Sequence, residues 1–359
     1  MKNLAKMEKK SYQYKPIFIF PENAKSLGEL KNDGSINVID TINSQLRELI
    51  KSRNPEKILL EQDYTKLIAD HINHTSADNY GVWVYYPWNK NLIHILDKDE
   101  FVELRTNRNK HKITPDEIKI LSDKKVGIIG LSVGHSIALT IATERICSEI
   151  RLADFDILEL SNLNRIRTGV QNLGLPKVII AAREISEIDP FISVIIFDQG
   201  ITENNITDFF IGDGKIDIAI EVCDSLEIKI ATRLYAKENR VPVVMDTNDK
   251  GMLDIERFDI EPNRPIFHGL IDQENLLNIK HIDAQERIHI LMKLVSFENC
   301  SDRLKYSMTE IGKTITTWPQ LASSVVLGGA ITTDITRRIL LKQHNSSGRF
   351  YIDLEKLIF

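Results

Sequence analysis

Cysteine is scarce in this chain, with three residues in 359, at positions 147, 223 and 300. They lie far apart and have no histidine at ligand spacing, so neither a disulfide-stapled scaffold nor a structural zinc site is expected. The same scarcity fits a reducing, cytoplasmic compartment. Long apolar runs are missing too: none approaches the roughly 20 residues that a membrane-spanning helix requires. The opening MKNLAKMEKKSYQYK is basic but has no apolar core, and is expected to be neither a signal peptide nor an anchor. A strong charge excess is also absent. With 46 Lys and Arg against 51 Asp and Glu, the net charge is −5, which offers no broad basic surface for nucleic acid or membrane. What is present is 42% hydrophobic residues, ample for a buried core in one large or two ordinary domains.

The pattern changes along the chain. Residues 1–16 are expected to form a flexible basic tail. Residues 17–98 mix short strands (PIFIF, GVWVYYPW, NLIHIL) with helices such as SQLRELIKSR and YTKLIADHIN, the mark of a small α+β domain whose function is not legible. Its aromatic residues Trp83, Tyr85, Tyr86 and Trp88 alternate partly at strand spacing, which favours a core or domain-contact role over a ligand platform. From Lys124 onward apolar strands (VGIIG, IRLAD, SVIIF, DIAIEV, VPVVM) alternate with amphipathic helices. That alternation predicts an α/β, Rossmann-like, doubly wound and mostly parallel sheet, covered by helices on both faces. The nucleotide-binding domain is expected over 99–270. A C-terminal extension over 271–359 carries helices at 283–298 and in WPQLASSVVLGGAITTDITRRILL, and closes with a strand in RFYIDLEKLIF.

The most informative stretch is 124–154. A strand (KKVGIIG) runs into a glycine turn (LSVGHS), a helix, and a second strand ending on acid (IRLADFD). Gly130 and Gly134 allow backbone N–H groups, with Ser132 between them, to approach a polyphosphate. The helix beyond adds partial positive charge. Asp154 stands about where such folds hold a ribose. Further polar residues fall where loops leave the carboxyl ends of parallel strands: Asn162 and Arg165 in SNLNR, Lys177 after LGLP, and Asp224 after DIAIEVC. Arg165 and Lys177 suit phosphate oxygens. Asp224 suits Mg²⁺, an oxygen-seeking ion that bridges phosphates.

In this order GLSVG, DFD, SNLNR, PK and VCDS resemble the motifs of the ThiF/MoeB and ubiquitin-activating (E1-like) superfamily. The resemblance implies an ATP-dependent adenylyltransferase. A carboxylate, such as the C-terminus of a small ubiquitin-like protein or peptide, would become an acyl-adenylate with release of pyrophosphate. It also implies ATP and Mg²⁺ as ligands, with Gly130, Ser132, Gly134, Asp154, Asn162, Arg165 and Lys177 at the nucleotide and Asp224 at the metal. The TNRN segment resembles the family's N-R-Q helix, so Arg108 is expected to reach the triphosphate, from a second copy in dimeric members. That makes a homodimer the expected assembly. Lys229 matches a basic family position, and Cys300 lies where thioester-forming relatives hold a cysteine. Three departures stand out: Ser132 and Val133 replace loop glycines, VCDS replaces C-T-D-N, and the paired zinc cysteines are absent. Longer stretches, among them VVMDTNDKGMLDIERFDIEPNRPIFHGL, resemble a bacterial subgroup often fused to a nitroreductase-like domain, which brings a nitroreductase-like protein in as a partner.

Three other readings remain at this stage. A non-catalytic nucleotide-binding scaffold of the same fold would explain the eroded glycine loop. An NAD(P)- or FAD-binding oxidoreductase would use Asp154 but not Arg165, Lys177 and Asp224. Gly130-Leu-Ser132-Val-Gly134 also satisfies G-x-S-x-G, and with Asp224 and His268 gives the chain order of a hydrolase triad. SNLNR and Lys177 have no place in that reading.

Overall fold

The computed structural model describes residues 13–20, 24–272 and 282–358. Most of the basic 1–16 segment therefore lies outside the described residues. The chain divides into two compact units, one of residues up to Asp116 together with Asp189–Phe191, the other of Glu117–Ile188 and Ile192 onward.

The first unit is built on a four-stranded sheet of β1 (Ile17–Ile19), β2 (Asn37–Asp40), β3 (Val82–Tyr86) and β4 (Asn91–Ile95), in the order β1-β3-β4-β2. Ile42, Leu46 and Leu49 recur at helical spacing on the Ile42–Arg53 helix and bury against Leu96. The strand aromatics serve the core: Trp83 is fully buried with its ring stacked 4.3 Å from that of His94, and Tyr86 is buried beside Val82, Val84 and Ile95. Strand β2, in the polar stretch INVID, pairs parallel to β4. It is short and exposed at three of its four positions, so its sequence carries too little alternation to reveal it.

The second unit holds a seven-stranded sheet. Its strands are β5 (Lys125–Ile129), β6 (Glu149–Ala153), β7 (Ser193–Phe197), β8 (Ile218–Glu221), β9 (Val243–Asp246), β10 (Met252–Glu256) and β11 (Gly348–Tyr351), in the order β11-β10-β9-β8-β5-β6-β7. The five strands from β9 to β7 are mutually parallel, and β10 and β11 add antiparallel at one edge. The fold is thus α/β and Rossmann-like, with a mostly parallel sheet. Parallel strands buried on both faces explain the near-continuous Ile, Val and Ala of β5, β6 and β8. From β5 the chain winds through β6 to β7, then returns to the other side of β5 to make β8. That reversal opens a crevice beyond the carboxyl ends of β5 and β8, where open α/β sheets take their ligands. The small-residue run of the Ala322–Leu340 helix lets it pack closely on the Gly134–Glu144 helix: a side chain at Gly329 would strike Ser136. RFYIDLEKLIF contributes only the short β11, and Leu354–Ile358 is helical.

Candidate nucleotide site at the strand switch point

Two loops meet at the crevice. Gly130, at φ +89°, leaves β5 in a left-handed conformation that favours glycine. A Cβ there would stand 2.8 Å from both the Cys223 amide nitrogen and the Val222 carbonyl oxygen, so the β5 and β8 turns touch backbone to backbone. The Gly130 N–H donates to the Ala153 carbonyl at 2.9 Å, and Leu131 N donates to Asp154 Oδ2 at 2.6 Å. Asp154 also accepts the Asp156 amide through Oδ1 at 2.7 Å. Burial raises the Asp154 carboxyl above the ordinary range, opposed by the Asp156 amide and the Lys177 charge. Asp154 therefore holds the glycine turn against the end of β6.

Lys177 begins the Lys177–Ile188 helix, is buried, and pairs with Asp156 at 2.8 Å. Asn162 is buried and accepts the Glu159 amide through Oδ1 at 3.1 Å, fixing the short Leu160–Asn164 helix that carries the chain to Arg165. Arg165 donates from Nε to Ser132 Oγ at 2.9 Å, while Ser132 and Asn164 both bond Gln320. Burial lowers the Arg165 guanidinium from its ordinary value, and the charge of Asp224 works against that fall. Asp224 is exposed in the turn three residues past β8, just ahead of Ser225, which caps the Leu226–Glu238 helix by accepting the Ile228 amide. The acid thus stands beside a helix N-terminus rather than inside the apolar strand, with its charge presented to solvent.

A cavity of about 820 Å³ opens here. Of the residues singled out in the sequence it brings together Ser132, Arg165, Asp224, Lys229 and Cys300. Gly130, Gly134, Asp154, Asn162 and Lys177 do not line it, although Gly130 and Asp154 set the turn that does. Arg108 belongs to the first unit, exposed in the short Asn107–Asn109 helix.

Beneath the cavity lies a buried ionic network that the sequence reading did not find. Glu221, the last residue of β8, receives Lys229 Nζ at 3.0 Å and Arg233 at 2.7 Å, and Arg233 Nε reaches Glu256 on β10. Burial alone would raise the Glu221 carboxyl, but the two cations outweigh it and hold it low. An acid ending an otherwise apolar strand, followed by cations 8 and 12 residues on, was the available signal. A second residue escaped notice for the same reason. Asp246, at the end of β9, is buried, its carboxyl is raised to about 7 by that burial, and its Oδ2 has no hydrogen-bond partner. Gly328 of the long C-terminal helix packs on this oxygen, where a Cβ would come within 2.1 Å. Of the cavity's two cysteines, Cys223 is held far above its usual range by burial and Cys300 is pushed to about 11, by burial and then Asp249. Neither is a ready thiolate at neutral pH.

The arrangement suits a phosphate-bearing ligand: a turn that admits no side chain at Gly130, the Arg165 guanidinium on the cavity, and the Lys229 ammonium beside it, ion-paired to Glu221. Among the described residues no three His, Cys, Asp or Glu side chains cluster to hold a metal. An ion at Asp224 would therefore need phosphate oxygens and waters for the rest of its shell, which is how Mg²⁺ usually binds.

Comparison with known proteins matches residues 105–289, just over half of the chain, to the profile described as "ThiF family". The chain belongs to the ThiF family. It is 38% identical over 331 residues to an uncharacterized protein of Mycobacterium tuberculosis, an alignment covering 91% of this chain but 43% of that one. It is also 21% identical over 247 residues to the tRNA threonylcarbamoyladenosine dehydratase of Bacillus subtilis, covering 66% of this chain and 96% of that protein. Among solved structures, the E. coli tRNA N6-threonylcarbamoyladenosine dehydratase in complex with AMP aligns with a TM-score of 0.49 at 18% identity, over 67% of this chain and 96% of that one. The chain thus spans less than half of the mycobacterial relative's length. Among the described residues no helix is long and apolar enough to cross a membrane.

Proposed function

We propose that this ThiF-family chain binds ATP with Mg²⁺ and adenylates a carboxylate. The observation that carries the reading is the cavity at the β5/β8 switch point, where Arg165 and Asp224 meet beside the turn at Gly130, with Lys229 on the same cavity and ion-paired to Glu221. Relatives in the same family bear names consistent with it, among them ubiquitin-like modifier-activating enzyme 5 of Caenorhabditis elegans. In this reading a carboxylate oxygen of the substrate attacks the α-phosphorus of ATP. The acyl–O–P bond forms, the bond from the α-phosphorus to the bridging oxygen breaks, and pyrophosphate departs with the electron pair. No side-chain base is needed, because a carboxylate is already ionised at neutral pH. Catalysis is then positioning and charge neutralisation.

Each residue has a part in this scheme. Asp154 accepts ribose hydroxyls while anchoring the turn. Arg165, oriented by Ser132, neutralises phosphate charge. Lys177 holds Asp156 and adds positive potential behind Asp154, and Asn162 fixes the backbone that presents Arg165. Asp224 would hold the Mg²⁺, which would supply charge neutralisation at the phosphates. Arg108 is assigned to a second copy's nucleotide. The homodimer rests on the likeness of TNRN to the family's N-R-Q helix, and the exposed apolar side chains Phe155, Ile157, Leu160 and Val170 after β6 are offered as its contact residues.

The test is ATP–pyrophosphate exchange, screened against candidate peptides and acids. Exchange that appears only with a carboxylate present supports the assignment. ATP binding with no exchange for any candidate would favour a scaffold, and binding of NAD in place of ATP a redox protein.

A further inference from the structure

The switch-point cavity has two walls. One carries Ser132, Arg165, Asp224 and Lys229, all within the family match at 105–289. The other gathers the large apolar side chains Leu291, Leu294, Val295, Leu304, Trp318 and Leu321, set among Asp302, Arg303, Thr317 and Gln320. Every one of these six apolar residues lies beyond residue 289. They come from three elements: the Ala284–Leu294 helix and its end, the Asp302–Glu310 helix, and the segment that leads into the Ala322–Leu340 helix. Both parts are mixed, since Val133, Val222 and Met245 also line the family-matched part, but the largest apolar side chains gather beyond residue 289.

This apolar side is open at one end only, because Leu294 is buried and Leu291 packs on the same core. Leu321 is 67% exposed and Trp318 is 37% exposed, although both sit on a cavity large enough for more than a nucleotide's phosphates. Large exposed apolar groups lining a concave site beside convergent polar groups are what ligand pockets use to hold the body of a ligand. A glycine tail would leave this wall uncovered, because it has no side chain to bury there.

Resting on the adenylation reading above, we propose that the carboxylate substrate carries a bulky apolar group next to its carboxylate. The substrate class is a peptide or acid ending in a branched or aromatic residue, not a glycine-ended tail. The carboxylate points to the Arg165 side and the apolar group lies against Leu304, Trp318 and Leu321.

The experiment uses two hexapeptides identical except for a C-terminal Phe or Gly, with the full chain and a non-hydrolysable ATP analogue. Binding is measured by calorimetry, and pyrophosphate exchange with ATP is measured in parallel. The Phe-ended peptide should bind at least roughly tenfold more tightly, the usual worth of filling an apolar pocket. Trp318→Ala and Leu321→Asn should each remove most of that preference and leave binding of the ATP analogue unchanged. Leu321 stands at the N-cap of its helix with no side-chain cap bond. Asparagine is among the best residues there, so a lost preference in that variant is not lost folding. Equal binding of the two peptides, tighter binding of the Gly-ended one, or no binding of either overturns the proposal. The two readings fail separately: a preference for the Phe-ended peptide with no exchange removes adenylation and keeps the apolar site, while exchange driven by the Gly-ended peptide alone does the reverse.

Discussion

At the scale of single residues, the sequence pointed to groups that short motifs bring to strand ends and passed over those that only burial distinguishes. Arg165, Ser132 and Asp224 fall in short motifs at strand ends, and the cavity gathers all three. Lys229 could be read as a solvated helix position, yet it is buried against Glu221, because helical periodicity does not reveal what a neighbouring strand contributes. Asp224→Ala should abolish pyrophosphate exchange and leave thermal stability nearly unchanged, since the side chain is exposed and contributes little packing. Unchanged exchange in a folded variant would remove Asp224 from the chemistry. Asp246 behaves differently. Its carboxyl is raised to about 7 by burial, so the folded protein prefers the protonated form. The stability that this form contributes is complete below the ordinary carboxyl range near 4 and is lost as pH rises through about 7. Asp246→Asn removes that titration. Urea unfolding at about pH 5 and about pH 8 should then show a smaller pH-dependent loss in the variant, by on the order of a few kcal/mol. Equal losses in variant and parent would rule out the buried, titrating acid.

At the scale of elements, apolar strands and amphipathic helices announced the parallel sheet because each has its own period, and the glycine turn announced the switch point because β5 must end in a conformation that side chains resist. The sheet's order and the two antiparallel edge strands are long-range facts. Nothing local in VVMD or MLDIE states that β10 reverses against β9. What fastens that edge is the ionic network: Arg233, fully buried on the Leu226–Glu238 helix, joins Glu221 of β8 to Glu256 of β10 and lies 4.0 Å over the Phe267 ring. Arg233→Ala leaves two buried carboxylates short of a partner and should destabilise the second unit by about 3–5 kcal/mol. A fall in Tm of only a degree or two would mean that Lys229 and water compensate. Gly130→Ala acts on the site more than on the fold's mass of contacts. Besides about 1 kcal/mol for a side chain at positive φ, its Cβ would press the Val222–Cys223 backbone away. ATP affinity should therefore fall by more than tenfold while the far-ultraviolet circular dichroism stays native. Unaltered affinity would show that the turn does not touch the nucleotide.

At the scale of the whole molecule, composition correctly limited the chain to ordinary globular material, but which surfaces meet other copies is not written in any periodic pattern. The exposed Phe155, Ile157, Leu160 and Val170 sit in the connection between β6 and the Lys177–Ile188 helix, apart from Leu158 and Ile166, which the same connection buries against Ile180. Burying them between two copies would remove that exposed area from water, at roughly 25 cal/mol per Å² of apolar surface, and a two-fold pairing would use the same patch on both partners. The proposed transfer of Arg108 between copies gives this assembly a functional consequence. Arg108→Ala and Asp224→Ala chains should each be inactive in pyrophosphate exchange when assayed alone. Mixed in equal amounts and allowed to re-pair, they should recover about a quarter of parent activity, because half of the dimers are mixed and each mixed dimer has one site with both residues intact. Recovery should vanish when the patch is broken by Leu160→Asp, which prevents pairing without touching either residue. A mixture that stays inactive although differently tagged copies demonstrably co-purify would mean that Arg108 serves its own chain or none. Full activity of Arg108→Ala alone would remove it from the site altogether.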